Sequence, residues 1–481
     1  MPRLYLSPPR RTFAVLAAAV AAFSLMQSLV TPVLPTIQHD LHTSATAVTW
    51  VLTAWLLAAS VATPLMGRVG DMIGKDRTLL AALAAIALGC LLAAAAPNIG
   101  VLIAGRVVQG VGSAVFPVSF GIVRDEIPPH RVPSAVGVLS AVIASGGGIG
   151  IVLAGPIVGA LNWRWLFWIP MVVVLLVATA AARFVPPSPI RSPGRINWLA
   201  ASLLSAWLVA LLLPLSQGST WGWTDPVTLG LFGLAAALCA AWLTVEVRSV
   251  NPLIDMRMMR LGGVWTTNLA AMLSGASMFG VYAFLPRLMQ TPAAGGYGLG
   301  ASVTRSGLIM LPMLVTMAVA GSLSGPAARW IGSRAQLALG AALSALSCAS
   351  FAILHNSAVP VAIAGGVFGL GLGMVYAAMI NLVVQSVPAA QTGVASGMNT
   401  NIRTIGAAMG TAMVSAVVTA HQGPAGLPAE SGYVTAFTLL AACSTAAAAV
   451  ALLVPPSRRR RPSAPPATVG AAPAELTPVE V

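Results

Sequence analysis

The sequence predicts an all-helical integral membrane protein, and three observations support this prediction. First, 57% of the 481 residues are hydrophobic and only 7% are charged, whereas soluble domains carry about 25% charged residues. Second, fourteen apolar runs approach the roughly 20 residues that a membrane-spanning helix needs. Third, the arginines concentrate in alternate connections between these runs, as the positive-inside rule requires. The net charge of +14 therefore reflects scattered basic loops and does not indicate a nucleic-acid-binding domain.

The apolar runs divide the chain into segments in order. The predicted spans are 12–36, 47–67, 78–96, 99–123, 134–160, 163–183, 198–216, 226–248, 264–288, 303–326, 335–354, 359–384, 396–420 and 432–454. We expect an N-terminal six-helix bundle over 12–183, an inserted helix pair with its linkers over 184–263, and a C-terminal six-helix bundle over 264–454. We predict that residues 1–11 form a cytoplasmic N-terminal extension. The Pro- and Ala-rich residues 455–481 are predicted to form a disordered cytoplasmic tail.

An even number of spans places both chain ends on the same side of the membrane. Connections on one side carry most of the basic residues: Arg3, Arg10, Arg11, Arg68, Lys75, Arg77, Arg124, Arg131, Arg183, Arg191, Arg195, Arg248, Arg257, Arg260, Arg329, Arg334 and Arg458 to Arg461. The other side carries few, with Arg164, Arg287 and Arg305 as exceptions. We therefore predict a plasma (inner) membrane protein with both termini and the tail in the cytoplasm.

An internal repeat supports a two-bundle fold independently of any resemblance. An offset of 260 residues aligns Gly137 with Gly397, Gly146 with Gly406, and Gly150 with Gly410. An offset of 258 aligns Gly67 and Gly74 with Gly325 and Gly332, with Arg329 in the place of Asp71. Such a repeat predicts two six-helix bundles related by an axis along the membrane normal.

The hydrophilic stretch GRVGDMIGKDR, from Gly67 to Arg77, separates the second and third spans. Its length predicts a tight cytoplasmic hinge, with Gly67 ending the second span. Asp71 could lie at the positive N-terminus of the thirteenth span, near Gly393 to Ala395, because exposed backbone N–H groups favour an anion there. A capped loop that only anchors the protein by its positive charge is the simpler alternative.

This stretch resembles the signature between helices 2 and 3 of the major facilitator superfamily of secondary transporters, matched at Gly67, Asp71, Gly74, Lys75 and Arg77. With the inserted pair, the layout resembles the fourteen-helix drug:proton antiporter branch over nearly the whole chain. The resemblance implies the major facilitator fold, with two six-helix bundles in pseudo-twofold relation. It also implies a gating role for the motif on the cytoplasmic side.

The fourth span contains AGRVVQGVGSA, in which Arg106 and Gln109 share one helix face. A guanidinium inside a membrane is costly, so Arg106 must face a partner or a water-filled cavity. The span resembles the family's helix-4 signature at Arg106, Gln109, Gly110 and Gly112, which implies a role in proton transfer or substrate binding. An arginine that extends to the interface is the alternative.

The fifth span contains glycines at spacings that permit close helix packing, and it ends in GPIVGA. It looks like the family's antiporter motif at Gly155, Pro156 and Gly159, but departs from it at Ile151 and Ala160. Tight packing alone would also explain the glycines, so the direction of transport, export, rests on the resemblance. The stretch from Ala395 to Gly410 also resembles this branch.

No acidic residue lies deep inside a predicted span, since Glu246 stands at the cytoplasmic end of 226–248, and Met26 stands where the branch usually has an aspartate. Proton coupling then needs Asp71, His39 or His42, or protons carried on the substrate. The predicted proton and substrate pathway suits neutral or anionic amphiphiles and consists of Arg106, Gln109, Arg403, Gln27, Trp55, Asn268, Tyr282, Asn381 and Asn399.

The sequence therefore predicts a secondary transporter that exports hydrophobic drugs or antibiotics, driven by proton antiport and alternating access. A uniporter or symporter for a neutral or anionic metabolite is the alternative within transport. A membrane receptor is disfavoured, because a sensor would not need two bundles and a gate. We expect no enzyme, no catalytic residues, no metal site and no cofactor beyond the proton gradient. The expected partners are protons, a small hydrophobic substrate and the lipid bilayer, with the protein as a monomer.

Overall fold

The structure is a computed structural model that describes residues 9–188, 196–249, 252–292, 297–388, 391–421 and 428–455. The first eight residues of the predicted N-terminal extension, and the predicted tail from 456 onward, lie outside the described residues. The described chain is largely helical, in the order α1 (Pro9–Leu29), α2 (Leu34–Asp40), α3 (Ala45–Ile73), α4 (Lys75–Ala94), α5 (Ile99–Val111), α6 (Val115–Glu126), α7 (Val132–Ala160), α8 (Trp165–Phe184), α9 (Trp198–Trp221), α10 (Pro226–Arg248), α11 (Met256–Met259), α12 (Gly262–Gln290), α13 (Val303–Ile353), α14 (Ala358–Ser386), α15 (Thr392–Ala420) and α16 (Glu430–Leu453).

Thirteen helices in the described ranges are long and apolar enough to cross a membrane. One of them, within α13, has 49 residues and would measure roughly 74 Å at 1.5 Å per residue. That is more than twice the hydrocarbon thickness of about 30 Å. The helix breaks at Gly332, where φ is 79°. We therefore count α13 as two spans, in agreement with the fourteen predicted ones, although the loop expected between them is only this kink.

Each bundle has its own apolar core. In the first, made by α1 to α8, Phe23 packs edge-on against Phe116. In the second, made by α12 to α16, Phe351 packs against Phe368 and Phe437. The inserted helices α9 and α10 pack against each other, and α9 also contacts α3 of the first bundle and α15 of the second. The inserted pair thus lies against both bundles.

The structure reproduces the sequence repeat helix by helix. Helices α7 and α15 both have 29 residues, and their starts at 132 and 392 differ by 260. A Cβ added to Gly146 or Gly150 of α7 would meet α1, at Ser24 and at Leu25 respectively. A Cβ on Gly406 or Gly410 of α15 would correspondingly meet the backbone of α12. The aligned glycines therefore make equivalent helix contacts in the two bundles.

The stretch from Gly67 to Arg77 is not the loop that we expected. Helix α3 continues to Ile73 and α4 begins at Lys75, so Gly74 alone separates them, with a φ of 125° that favours glycine. Gly67 therefore does not end a helix, and Asp71 lies within the last turns of α3. The expectation that no acid lies within a span is wrong for this residue. The described spans also include other acids near their ends: Asp76, Asp125, Glu126, Glu246 and Glu430.

Candidate functional site: the contacts between the bundles

The first contact between the bundles is a close approach of α3 and α15, which we call the α3–α15 seam. A Cβ on Gly67 would lie 2.6 Å from the carbonyl oxygen of Gly393. One turn further, a Cβ on Gly397 would lie 3.1 Å from the carbonyl oxygen of Thr63. Small residues let the two backbones touch, so any side chain at Gly67 would push the bundles apart.

Asp71 closes this seam electrostatically. Its side chain is 1% exposed, and its two carboxylate oxygens accept the N–H groups of Gly393 at 3.3 Å and Val394 at 3.1 Å. Since α15 begins at Thr392, these are first-turn N–H groups that have no partner within the helix. The carboxylate therefore binds the positive end of a helix that belongs to the other bundle.

Lys75 is the cation beside Asp71 and is likewise 1% exposed. Its Nζ lies 2.7 Å from Oδ2 of Asp125 in α6 and 3.9 Å from Oδ1 of Asp71. Its stem passes over Gly121, where a Cβ would lie 2.7 Å from the lysine Cδ. Lys75 thus joins α3, α4 and α6, whereas the remaining motif residue, Arg77, is exposed.

Arg124 makes a second connection across this seam. It donates to Oγ1 of Thr392 at 2.6 Å and to the carbonyl oxygen of Val387 at 2.8 Å. Arg124 therefore holds the turn that leads into α15, next to the position of Asp71. The sequence predicts for Arg124 only a basic residue in a connection, because nothing in the local pattern indicates a partner 268 residues away.

The second contact, the α7–α13 seam, uses the other half of the repeat. A Cβ on Gly137 would lie 2.7 Å from the carbonyl oxygen of Gly321, and a Cβ on Gly325 would enter the backbone of Ser134. Arg329, at the repeat position of Asp71, donates to the carbonyl oxygen of His130 at 2.9 Å and is exposed.

Asn381 also belongs to the contact between the bundles. It is 1% exposed and donates to the carbonyl oxygen of Pro133 at 3.4 Å. This places the side chain at the start of α7, among contacts between the bundles, and not beside the other predicted pathway residues.

Both seams lie at the end of the molecule that carries Gly74 and the start of α7, which we call the basic end. Midway along α7, a Cβ on Gly148 still meets the side chain of Leu314 in α13. Farther from the basic end, a Cβ on Gly155, Gly159 or Gly307 meets no described atom within 4 Å. Gly155 and Gly159 therefore have no described packing partner in this structure, and Pro156 between them is exposed. Their predicted role in the helix-5 motif stays a prediction.

In the first bundle, Arg106 is fully buried and ties helices together. Its Nε donates to the carbonyl oxygen of Val51 at 3.2 Å, and its Nη1 donates to Oε1 of Gln109 at 2.8 Å. The guanidinium carbon lies 5.3 Å from the ring centroid of Trp55. Its Nη2 has no described acceptor. Arg106 therefore does not extend to an interface but is satisfied in part by α3 and α5.

Two sulfur atoms continue this cluster. Gln109 donates through Nε2 to Sγ of Cys90 at 3.3 Å, and this thiol in turn lies 3.4 Å from Sδ of Met26. Met26, at the position where the family resemblance led us to expect an aspartate, is thus a fully buried thioether. Gln27, the neighbouring pathway candidate on α1, is partly exposed.

In the second bundle, the predicted pathway residues take part in three side-chain contacts. Asn399 donates to Oδ1 of Asn268 at 2.9 Å. Arg403 stacks on Tyr376, with 4.4 Å between the guanidinium carbon and the ring centroid. Tyr282 donates to Sδ of Met317 at 3.4 Å. No described hydrogen bond joins these pairs to the Arg106 cluster, and Tyr376 was not predicted.

The described residues contain no group of three or more His, Cys, Asp or Glu side chains that could hold a metal ion. The four cysteines are free. The interactions that could recognise a ligand in the described part of the chain are therefore those of charged side chains, aromatic rings and helix ends.

Comparisons with known proteins agree with this architecture. The sequence profile of the Major Facilitator Superfamily matches residues 16–411. A cephamycin export protein, CmcT, of Amycolatopsis lactamdurans is 32% identical over 89% of this chain and 90% of its own. A tetracenomycin C resistance and export protein of Streptomyces glaucescens is 27% identical over 86% and 77%. A multidrug transporter protein, MdtP, of Bacillus subtilis is 27% identical over 86% and 76%.

Two solved structures share the fold. The human organic anion transporter MFSD10 (TETRAN) superposes with a TM-score of 0.67 at 16% identity, covering 92% of this chain and 99% of its own. The proton:xylose symporter XylE gives 0.65 at 14%, covering 93% and 96%. These comparisons confirm the predicted fold and show a transport protein, not an enzyme. The chain is a multi-pass membrane protein that belongs to the Major Facilitator Superfamily.

Proposed function

We propose that this protein exports hydrophobic drugs or antibiotics by proton antiport with alternating access. The observation that carries the proposal is the seal at the basic end, where Asp71 of one bundle binds the N-terminus of α15 in the other. Such a contact is strong only while the carboxylate is charged and the backbones touch, so it is a natural two-state element. Opening both seams would expose the space between the bundles to this side.

The direction of transport rests on relatives and on charge. Relatives that match most of the chain are named as export or multidrug proteins. The basic end carries Lys75, Arg77, Arg124 and Arg329. Under the positive-inside rule, this end and both termini face the cytoplasm. The structure then corresponds to a state closed toward the cytoplasm, which releases substrate outward.

For proton coupling we propose Asp71 over the histidines at the other end. Protonation would remove the charge that the α15 N-terminus and Lys75 stabilise and would also relieve the cost of burying that charge, so the seal would depend on the protonation of Asp71. His39 and His42 are exposed, and Nδ1 of His39 lies 3.6 Å from Oδ1 of the exposed Asp40. Neither contacts a helix of the other bundle in any described hydrogen bond, so their titration has no described route to the seal.

The test is substrate uptake into inverted membrane vesicles under an imposed pH gradient, with cationic, neutral and anionic dyes measured separately. We expect uptake that collapses with an uncoupler and with Arg106→Ala, because Arg106 holds α3 against α5. The control is Arg305→Gln, which also removes one positive charge but from an exposed site. Transport that is indifferent to the gradient would contradict the antiport proposal.

The second candidate, a uniporter or symporter for a neutral or anionic metabolite, is favoured by one observation. Met26 leaves Arg106 without a carboxylate in the cluster, so the titratable group of the related antiporters is absent there. In the same assay this candidate predicts substrate movement down its own gradient, unaffected by the uncoupler.

A further inference from the structure

Arg403 is a buried cation without a counter-charge. Its side chain is 8% exposed, and its only described interaction is the stacking on Tyr376. Residues 264–454 contain a single acid, Glu430. That acid begins α16 and lies 2.9 Å from Nε2 of His355. The second bundle therefore has no other carboxylate to offer Arg403.

Tyr376 cannot supply the missing negative charge either. Its hydroxyl donates to Sδ of Met278 at 3.2 Å, so the phenol uses its proton within the bundle. Its ring presents a π face to the guanidinium, which attracts a cation without neutralising it. The five N–H donors of the guanidinium thus remain available to an acceptor.

The two buried arginines differ in how far they are satisfied. Arg106 is 0% exposed and has a carbonyl oxygen, an amide oxygen and an indole ring around it. Arg403 has one ring and retains some exposed surface. Arg106 is sealed into its bundle, whereas Arg403 keeps a small exposed surface and has no described hydrogen-bond acceptor. A charged side chain kept inside a membrane bundle usually marks a ligand or ion pathway.

The surroundings of Arg403 suit the apolar part of a ligand. Phe279 and Tyr282 of α12 are both partly exposed, with ring centroids 6.2 Å apart. Met278 and Met317 complete the same apolar cluster, which also receives Ile143 from α7 of the first bundle. Aromatic rings and thioethers adapt to varied apolar shapes. The cluster reaches the contact between the bundles, where a transported molecule would pass.

We propose that Arg403, stacked on Tyr376, is the recognition point for an amphiphilic organic anion. A carboxylate of the substrate pairs with the guanidinium in the bidentate geometry that arginine favours. Its aromatic or aliphatic body lies on the rings and methionines of α12 and α13. This inference rests on the proposed transport function and names its substrate class.

The test is binding to the purified full chain in lipid nanodiscs, followed by fluorescence anisotropy. The probes are 1-pyrenebutyrate, its neutral methyl ester, and 1-pyrenemethylammonium. We expect the wild type to prefer the carboxylate, and Arg403→Gln to weaken its binding about tenfold, as for the loss of a charged partner. The methyl ester should bind both proteins equally. Arg403→Lys should keep part of the preference, because it keeps the charge but not the planar fork.

Arg305→Gln is the matched control and should leave all three affinities unchanged, since it removes an exposed charge of the same bundle. If Arg403→Gln weakened the binding of 1-pyrenebutyrate and of its methyl ester equally, and Arg403→Lys bound both probes like the wild type, Arg403 would be only a packing residue. Preference of the wild type for the ammonium probe, or binding of none of the probes, would overturn the inference. Carboxylate binding without gradient-driven uptake in vesicles would instead retain the inference and contradict the antiport proposal.

Discussion

The two seams between the bundles are built on one backbone plan but differ in charge. In each, a glycine touches the backbone of the opposite bundle, at Gly67 in the α3–α15 seam and at Gly325 in the α7–α13 seam. In each, a glycine with positive φ follows seven residues later, at Gly74 and Gly332. Between them stands a buried acid in one seam and an exposed arginine in the other.

This difference separates geometry from electrostatics. Asp71 is buried, so its charge depends on the N–H groups of α15 and on Lys75. Arg329 is exposed and already solvated, so its hydrogen bond to His130 adds little. Both seams bring the backbones of the two bundles into contact, and the α3–α15 seam is the one with a buried carboxylate, so the response to protonation that we propose belongs to this seam.

The largest expected effect is on the geometry that the seams share. Gly67→Val would place a branched side chain against the carbonyl oxygen of Gly393, since a Cβ there would already be 2.6 Å away. Backbone cannot move aside as a side chain can, so we expect a destabilisation of the closed state of roughly 3 kcal/mol, the upper end of typical overpacking. The bundles should separate at the basic end.

The measurement is the distance between spin labels at the exposed residues Pro129 and Gln385, one in each bundle. The control is Gly307→Val, because a Cβ at Gly307 meets no described atom within 4 Å. Equal distance distributions for both variants would show that the close approach at Gly67 does not hold the bundles together.

The next effect tests the charge in the α3–α15 seam. Asp71→Asn keeps the shape but replaces the charged acceptor of the Gly393 and Val394 N–H groups, while Lys75 keeps Asp125 at 2.7 Å. Hydrogen bonds to charged groups contribute about 1.5–3 kcal/mol. We expect the same label pair to show a partly open basic end.

The pH response distinguishes this variant. In the wild type, the distances should change with pH, because the interaction of Asp71 with the α15 N–H groups depends on its charge, whereas in Asp71→Asn they should be independent of pH. Asp225→Asn is the control, since Asp225 also accepts an N–H group at a helix N-terminus, that of Val227, but far from either seam. A full pH response in Asp71→Asn would place the proton elsewhere.

The sequence predicts the fold well because the fold depends on local patterns. Hydropathy alone marks the fourteen spans, and the glycine repeat predicts that α7 and α15 correspond. The prediction from hydropathy fails at the end of α3, because the apolar run ends at Gly67 but the helix continues beyond it. Charged residues do not terminate a helix; the backbone conformation of Gly74 does.

The site is predicted less well, because its contacts join distant residues. The pairing of Arg106 with Gln109 follows from helical spacing. The stacking of Arg403 on Tyr376 and the bond from Arg124 to Thr392 depend on how helices cross, which no local periodicity encodes. Gly155 and Gly159 show the converse case, since a motif that permits close packing has no described packing partner in this structure.

A smaller effect concerns the turns that the two halves share. Gly332→Ala forces a side chain into a φ of 79°, which costs about 1 kcal/mol or somewhat more. We expect a lower thermal unfolding temperature of the purified protein, and Gly74→Ala should act in the same way. Gly147→Ala is the control, because this glycine lies inside α7 with no described atom within 4 Å of an added Cβ. Unchanged unfolding of Gly332→Ala would mean that the kink in α13 is not required.

The smallest expected effect is on Arg329, and it decides whether the two seams differ in kind. Arg329→Gln removes one exposed contact, to the carbonyl oxygen of His130, and exposed ionic groups contribute little to stability. The unfolding temperature should therefore stay within about 1 °C of the wild type, and the distance between labels at Pro129 and Gln385 should not change at any pH. If Arg329→Gln opened the basic end as far as Asp71→Asn does, charge would hold both seams. The seal would then be a symmetric pair of electrostatic contacts, and protonation of Asp71 alone could not release it.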